Sequence, residues 1–179
     1  MKWLFRRELY ALLAAAGVAC ATAQPPQVRY EPSPPSVVHA MLDLAAVGAA
    51  DVVADLGCGD GRIVIEAARR GARGLCVDID PRRIAEAREN ARAAGVSEKI
   101  LFAEENLFAT DLRSVTVVML FLSLDFNLRL RPKLARELRP GARVVSHWHA
   151  MGDWKPQKAL SVQGPYRQHE VFLWTIDRP

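Results

Sequence analysis

The chain has 179 residues, half of them hydrophobic, which is enough for one domain with a full core. Its formal net charge is +4, to which residues 1–23 contribute three basic residues and one acidic residue. The charge left on the rest of the chain is too small for a general nucleic-acid binder, so no nucleic-acid partner is expected.

The first 23 residues have the order of a secretory signal peptide. Basic residues precede an apolar stretch at 9–19, and Ala21-Thr22-Ala23 forms an A-x-A cleavage site that would make Gln24 the first mature residue. The apolar stretch is shorter than the roughly 20 residues that span a bilayer, so we expect an exported, periplasmic or secreted protein. The alternatives are a membrane anchor in residues 1–23 and a cytoplasmic protein whose start is misassigned.

After this leader, a proline-rich segment covers residues 24–36, and one folded domain is expected over residues 37–179. Apolar runs predict buried strands at 52–56, 75–79, 100–103, 115–121 and 143–146. Helical spacing predicts helices at 37–47, 62–70, 81–94 and 132–138. The last 20 residues predict a hairpin, with strands at 159–162 and 171–176.

The alternation of strands and helices predicts an open, mostly parallel α/β sheet with a C-terminal antiparallel hairpin. Asp80 and Pro81 provide an N-cap and a first-turn proline for the third helix, and Gly95 stands where its C′ residue belongs. Ligands on such sheets bind at the carboxyl ends of the strands. The residues expected to gather there are 57–61, 78–80, 104–106 and 122–127.

Three glycines, two apart, follow the first predicted strand in DLGCGDG, residues 55–61. Dinucleotide sites need G-x-G-x-x-G to hold a pyrophosphate, whereas this loop carries the carboxylates of Asp55 and Asp60. These carboxylates would repel a pyrophosphate but suit a ligand that carries an ammonium and a sulfonium. The loop therefore predicts an S-adenosylmethionine site, in which Asp78 accepts hydrogen bonds from the ribose hydroxyls.

Two further features have alternative interpretations. Cys58 and Cys76 are interpreted as small core or loop residues, although export would permit a disulfide between them. His147-Trp148-His149 has no third ligand nearby in sequence, so no metal site is expected. We expect a rim over the site instead, with Trp148 or Trp154 closing on the substrate.

DLGCGDGRIV (55–64) followed by LCVDIDPRRIAEAREN (75–90) resembles the class I, seven-strand S-adenosylmethionine-dependent methyltransferases over roughly residues 30–155. YEPSPP (30–35) is similar to the Y-x-P-[ST]-P motif of bacterial and mitochondrial protein-lysine methyltransferases outside the SET class. FNLRLRPKLARELRPGARVVSH (126–147) is similar to the non-SET histone-lysine methyltransferases. The resemblance implies a doubly wound, seven-stranded Rossmann-like sheet, S-adenosylmethionine as cofactor, and direct in-line methyl transfer to a protein lysine.

The resemblance also implies the roles of site residues. Tyr30 and Ser33 would contact the methionyl part of the cofactor, and Asp55 its amine. Asn106 would lie beside the adenine, where relatives commonly have an aspartate that accepts more strongly. The residues expected to bind the cofactor are Tyr30, Ser33, Asp55, Gly57, Cys58, Gly59, Asp60, Asp78, Ile79, Asn106 and Leu107.

The sequence defines the methyl acceptor less well than the cofactor. A lysine amine has a reference pKa near 10.4, so the site must desolvate it or accept its proton, and Tyr30, Asp125 and Asn127 are the candidate catalytic residues. Residues 120–124 are apolar and lack both the Asn-Asn-Phe-type segment of the histone enzymes and the motif of adenine-N6 methyltransferases. A small-molecule methyltransferase is one alternative. A non-catalytic cofactor-binding module is another if the chain is exported, because the cofactor is made in the cytosol. The oligomeric state stays open.

Overall fold

The computed structural model describes residues 30–177, so the predictions for residues 1–23 lie outside the described residues. The helices are α1 (Pro35–Leu44), α2 (Arg62–Arg69), α3 (Pro81–Ala93) and α4 (Leu124–Glu137), with a 3-10 turn at Ser97–Lys99. The strands are β1 (Val52–Leu56), β2 (Arg73–Asp78), β3 (Ile100–Glu104), β4 (Val117–Leu120), β5 (Arg143–His147), β6 (Lys158–Gln163) and β7 (Gln168–Thr175). Within residues 30–177, no helix combines the length and the apolar character that a membrane span requires.

The strands form one seven-stranded sheet in the order β3-β2-β1-β4-β5-β7-β6. Strands β1 to β5 pair in parallel with their neighbours, whereas β7 runs antiparallel to β5 and β6 antiparallel to β7. The predicted doubly wound, mostly parallel seven-stranded sheet with an antiparallel C-terminal hairpin is therefore confirmed. The strand order reverses between β1 and β4, which is the position where open α/β sheets bind ligands.

Both faces of the sheet are buried at its central strands β1, β4 and β5, as expected for parallel strands with apolar side chains in both directions. Val53 and Val145 point to one face and pack with α1. Ala54 and Val144 point to the other face and pack with α4. The helices therefore cover the faces and leave the carboxyl ends of the strands open at one edge of the sheet.

The fourth helix is longer than predicted, because α4 begins at Leu124, well before Pro132. Ser123 caps it by accepting a hydrogen bond from the backbone N–H three residues later. Proline is common at the first position of a helix, which favoured Pro132 as the start, yet here it lies inside the helix. Asn127 occupies a buried position one turn before Leu130. Because this buried residue is polar, the first turns of α4 lack the apolar spacing by which a helix is predicted.

The C-terminal hairpin adds an aromatic cluster to the core. Trp174 on β7 is 1% exposed, and its indole N–H donates to the carbonyl of Trp154 at 2.8 Å. The two rings lie 5.9 Å apart. Trp154 thus packs against the core, and the expectation that it closes on the substrate is wrong.

Candidate functional site

A cavity opens at the carboxyl edge of the sheet, where the loops after β1, β2, β3 and β4 meet the segment that precedes α1. Every residue predicted to bind the cofactor lines it, with the exception of Gly59. The lining members of that set are Tyr30, Ser33, Asp55, Gly57, Cys58, Asp60, Asp78, Ile79, Asn106 and Leu107. The strand-end positions therefore converge in space as the α/β topology predicts.

The glycine loop, residues 57–61, turns sharply between β1 and α2. Gly57 and Gly61 have φ angles of +85° and +79°, a conformation that residues with a side chain rarely adopt. The backbone N–H groups of Gly57 and Cys58 both donate to the carbonyl of Val77, at 2.8 and 2.9 Å. The loop is thereby fixed to the end of β2, with its backbone at the floor of the cavity.

Asp60 and Asp78, two acids of the cavity, are held by donors from the protein. Asp78 accepts from the backbone N–H groups of Gly59 and Asp80, both at 2.9 Å. Asp60 makes a two-pronged bond with Arg62, with Nε–Oδ1 at 2.9 Å and Nη2–Oδ2 at 2.6 Å. Burial alone would raise the pKa of Asp60, but the hydrogen bonds and charge of Arg62 hold that pKa below its ordinary value. Both side chains are therefore fixed carboxylates.

Asp55 differs from these two acids, because no residue among 30–177 donates a hydrogen bond to its carboxylate. The residue is 2% exposed and lies at the cavity. Burial, followed by the negative charges of Asp78 and Asp60, raises the pKa of Asp55 to about 8. A buried carboxylate without a donor is costly until a cation meets it, so Asp55 marks a subsite for a positively charged group.

The segment that precedes α1 lies across the glycine loop. The ring of Tyr30 packs so closely on Gly59 that a Cβ atom there would collide with it. The guanidinium of Arg83 on α3 lies 3.7 Å from the centroid of the Tyr30 ring, in a cation–π contact. Arg62 donates to the carbonyl of Ser33 at 2.9 Å. These contacts hold Tyr30 and Ser33 at the mouth of the cavity.

Ile79, Asn106 and Leu107 line the side of the cavity formed by the ends of β2 and β3. The side-chain oxygen of Asn106 accepts from the backbone N–H of Phe108 at 3.0 Å, which forms a local turn. A carbonyl oxygen has two lone pairs, so this bond leaves one for a ligand. The role of Asn106 as an acceptor for an adenine amine stays a prediction.

Asp125 and Asn127, two of the candidate catalytic residues, do not line the cavity. Asp125 is exposed and pairs with Arg129 at 3.7 Å. Asn127 is fully buried and donates to the carbonyl of His149 at 2.9 Å. Successive helical residues point about 100° apart, so Phe126 faces the cavity while its two neighbours turn away from it. Asn127 instead ties α4 to the segment after β5.

Several cavity residues were not singled out from the sequence, although Leu122 and Phe126 fall in the range 122–127 that was expected to gather at this edge of the sheet. The end of β4 and the start of α4 form an uncharged wall of Phe121, Leu122 and Phe126. The apolar run at 120–124 was the available signal for this wall. Arg62 directly follows the glycine loop, but nothing local marks Arg83, because its partner Tyr30 is far away in sequence.

The His147-Trp148-His149 segment does not form the predicted rim. Trp148 does not line the cavity; its ring packs under the guanidinium of Arg167, 4.6 Å from the ring centroid. His147 is fully buried beneath the cavity wall, with its ring 3.9 Å from that of Phe121. In the part of the chain that the structure describes, no group of histidine, cysteine, aspartate and glutamate side chains is arranged to hold a metal ion.

Cys58 and Cys76 form a disulfide, so their interpretation as unpaired residues is wrong. Cys76 lies on β2, opposite Asp55 of β1 in the register. The glycine loop folds back over the end of β2 and brings Cys58 to Cys76, with the Cα atoms 5.3 Å apart. This pairing depends on the register of two strands, which the spacing of the cysteines in sequence does not reveal.

The packing of Tyr30 on Gly59 gives a direct test of the cavity. Gly59→Ala is expected to weaken S-adenosylmethionine binding by at least about 10-fold, because the new Cβ atom displaces the Tyr30 ring. Calorimetric titration of the purified chain measures this affinity. Gly95→Ala is the matched control, since Gly95 also has a positive φ, +69°, but a Cβ atom there meets nothing within 4 Å. Equal affinities of the two variants would contradict the expectation.

Comparison with known proteins identifies the family. The model of the family described as ANTKMT methyltransferase domain matches residues 55–158, more than half of the chain. A protein-lysine N-methyltransferase from Saccharolobus islandicus is 41% identical over 153 residues, which are 84% of this chain and 95% of that protein. The adenine nucleotide translocase lysine N-methyltransferase of Mus musculus is 37% identical over 103 residues, 57% of this chain and 45% of that protein. The chain thus spans less than half of the mouse relative.

A solved structure is also similar. The crystal structure described as an RNA methyltransferase from Salinibacter ruber, in complex with S-adenosyl-L-homocysteine, matches with a TM-score of 0.79 and 45% identity. The match covers 83% of this chain and 97% of that one. The bound molecule in that crystal is what S-adenosylmethionine becomes when its methyl group leaves.

The residues of the cavity fit this cofactor. S-adenosylmethionine carries an ammonium, a sulfonium and no phosphate, and Asp55 is a buried carboxylate that lacks a cationic partner. The glycine loop lets backbone approach a ligand, and Asp78 lies at the end of β2 with both oxygens fixed. The family match and the 41% identity show that the chain belongs to the ANTKMT methyltransferase domain family and is an S-adenosylmethionine-dependent methyltransferase.

Proposed function

We propose that this methyltransferase methylates the side-chain amine of a lysine in a protein substrate. The observation that carries the proposal is the 41% identity to a protein-lysine N-methyltransferase across 84% of this chain and 95% of that one. The family model points the same way, and the mouse relative is also named a lysine N-methyltransferase.

The wall of Phe121, Leu122 and Phe126 suits an amine acceptor. With a reference pKa near 10.4, a lysine is neutral in only about one molecule in a thousand at pH 7. An apolar wall removes water from the amine, and desolvation favours its neutral form. A neutral amine has the lone pair that attacks a methyl carbon, so this wall supports the chemistry that the proposal requires.

When bound, the cofactor supplies an electrophilic methyl group on a sulfonium. Asp55 would hold the ammonium of the cofactor, Asp78 the ribose hydroxyls and Asn106 the adenine edge. Tyr30, held by Arg83, covers the glycine loop at the edge of the cavity. Burial, followed by the charge of Asp60, raises the pKa of Tyr30, so it stays a neutral phenol at physiological pH.

Transfer proceeds by in-line displacement in this proposal. The lone pair of the amine would form the new bond to the methyl carbon, and the electron pair of the carbon–sulfur bond would stay on sulfur. Positioning at roughly 3–3.5 Å is most of the catalysis in such a step, so the protein needs no covalent intermediate. The task of the cavity is to hold two reactants in line and to accept one proton from the amine.

The full chain, incubated with methyl-labelled S-adenosylmethionine and a lysate of the source organism, is expected to label protein at lysine. Amino-acid analysis of the labelled protein should recover the label as methyllysine. Asp78→Ala is the control, since loss of the ribose contacts should reduce labelling at least about 10-fold.

The competing acceptors give different results in the same assay. Label that is sensitive to ribonuclease would replace lysine by RNA, the acceptor class named for the Salinibacter ruber protein. Label that passes a dialysis membrane would identify a small molecule instead. Cofactor binding without transfer to any fraction would favour the non-catalytic module.

A further inference from the structure

A buried hydrogen-bonded chain of three side chains connects the cavity wall to the C-terminal hairpin. Ser33 Oγ lies 2.9 Å from His147 Nδ1, and His147 Nε2 lies 2.8 Å from His169 Nδ1. The three residues are 3%, 0% and 5% exposed. The chain joins the segment before α1, the end of β5 and the start of β7, which are far apart in sequence.

The two ends of this chain face different surroundings. Ser33 lines the cavity. The ring of His147 stacks on Phe121 of the uncharged wall, which is called the acceptor wall below because the proposed acceptor amine lies against it. The outer nitrogen of His169, Nε2, lies beside Gly164 at the hairpin turn, where a Cβ atom would collide with it. Residues 165–167 of that turn are exposed. The chain therefore leads from the acceptor side of the cavity towards the surface.

His147, the middle member of this hydrogen-bonded chain, is a neutral imidazole. Burial, followed by the charges of His169, Arg167 and His149, lowers the pKa of His147 to about 3. Arg167 also pairs with Glu31, at 3.0 Å. A neutral imidazole has one N–H donor and one bare nitrogen acceptor. In this hydrogen-bonded chain, every donor can therefore point towards the surface, or every donor can point towards the cavity. The two arrangements differ in which of the two atoms of each hydrogen bond carries the proton.

The carboxylates of the cavity are engaged elsewhere. Asp60 is bound by Arg62, and Asp78 by two backbone N–H groups. Asp55 lies at the subsite for the ammonium of the cofactor. The remaining acids of the lining also have partners: Glu105 accepts from Thr110 at 2.8 Å, Glu31 pairs with Arg167 at 3.0 Å and Asp80 pairs with Arg82 at 2.9 Å. None of these acids belongs to the acceptor wall, whereas Ser33 is coupled to that wall through His147.

We propose that Ser33, His147 and His169 form a relay that carries the proton of the acceptor ammonium from the cavity to the surface at the hairpin turn. The inference rests on the proposed function, because it requires an acceptor that must lose a proton before it attacks. Ser33 touches the acceptor, while His147 and His169 act through it.

The relay balances in atoms and charge. The ammonium gives a proton to Ser33 Oγ, whose own proton passes to His147 Nδ1. The proton on His147 Nε2 passes to His169 Nδ1, and the proton on His169 Nε2 passes to water. The amine is left neutral, and each member of the relay keeps its proton count with its hydrogen bond reversed. The relay resets after the methylated product has left: water at the surface returns a proton to His169 Nε2, each link passes one proton back, and Ser33 Oγ gives one to water in the emptied cavity.

The test compares His169→Gln and His147→Gln with the unchanged protein in methyl transfer between pH 7 and 9.5, with the protein fraction of the lysate assay as acceptor. A glutamine amide keeps a hydrogen bond but cannot accept a proton at one atom and release it from another. Proton-transfer groups typically contribute about 100-fold or more to a rate, so we expect the rate of methyl transfer to fall by about that factor at pH 7. The defect should shrink at least about 10-fold by pH 9.5, where more of the lysine is neutral in water.

His39→Gln is the matched control, because His39 is an exposed histidine of α1 whose partners are Glu66, at 3.6 Å, and Arg70, at 3.4 Å, both outside the cavity. Its rate and the cofactor affinity of all three variants should stay unchanged. A defect of equal size at both pH values, or a parallel loss of cofactor affinity, would reduce the relay to a structural element and overturn the inference. Failure of the proposed function looks different, since the unchanged protein would then put no label on lysine. His169→Gln lies at the outer end of the relay and keeps the test valid if His147→Gln fails to fold.

Discussion

Asp55→Asn is expected to stabilise the cofactor-free protein and to weaken S-adenosylmethionine binding by at least about 30-fold. In the cofactor-free protein near pH 7, burial makes the carboxyl of Asp55 take up a proton on folding, whereas Asn is neutral without one, so the substitution favours the cofactor-free fold. The same change removes the carboxylate that meets the ammonium of the cofactor, and loss of one partner of a buried charge pair costs about 2–5 kcal/mol. The two effects therefore have opposite signs.

The pH dependence follows from the direction of the pKa shift. Burial and then the charges of Asp78 and Asp60 raise the pKa of Asp55 in the folded protein to about 8, well above the ordinary value of an aspartate. A raised pKa contributes stability that is fully present below pH ~4 and is lost as the pH rises through about 8. Asp55→Asn has no carboxyl to titrate and does not lose this contribution. The unfolding free energy of the variant should therefore exceed that of the unchanged protein by an amount that grows from pH 4 to pH 8 and reaches roughly 2–4 kcal/mol at pH 7.

Denaturant unfolding at several pH values and calorimetric titration with the cofactor measure both effects. Binding near pH 7 should also release close to one proton, which titrations in buffers of different ionisation enthalpy detect. Asp51→Asn is the control, because Asp51 is a buried carboxylate bound by Thr116 and Arg143. Burial alone would raise the pKa of Asp51, but its hydrogen bonds and Arg143 lower it, so this variant should lose stability and keep its cofactor affinity. A destabilised cofactor-free Asp55→Asn would contradict the assignment of the cation subsite.

Signals within a few residues of one another predicted much of the fold. β1 has the predicted bounds, and the side chain of Asp80 caps α3 by accepting from the backbone N–H of Arg82. Gly95 has the positive φ expected of a C′ residue, +69°. Each of these features is decided by local sterics and hydrogen bonding, which is why sequence suffices for them.

The contacts that shape the site are mostly non-local and escaped prediction. Ser33 and His147 are 114 residues apart, and their contact depends on the placement of the segment before α1 beside the end of β5. Arg83 reaches Tyr30 only after α3 has docked on the sheet. Asn127 is polar and conspicuous in sequence, yet helix geometry turns it away from the cavity. Residue type and spacing therefore predicted which acids line the cavity, but not which residues form its uncharged wall.

Reduction of the Cys58–Cys76 disulfide is expected to lower the free energy of unfolding by about 3 kcal/mol. The bond closes a loop with a sequence separation of 18 residues, and the chain entropy that such a loop removes from the unfolded state has this magnitude. Reduction should also weaken cofactor binding, because Cys58 lines the cavity and its bond fixes the glycine loop to β2. Denaturant unfolding and cofactor titration, each with and without a thiol reductant, measure the two effects.

The control is the double variant Cys58→Ala with Cys76→Ala, whose stability and cofactor affinity should not respond to the reductant. A digest of the unreduced protein should contain the two cysteine peptides joined, and separate peptides would contradict the bond. The result also bears on where the protein works, because disulfides persist in oxidising compartments. Export by the predicted leader would maintain the bond and the full stability. In the cytosol, where the cofactor is made, the reduced and less stable form is expected, so the cysteine state of the protein taken from its native compartment distinguishes the two locations.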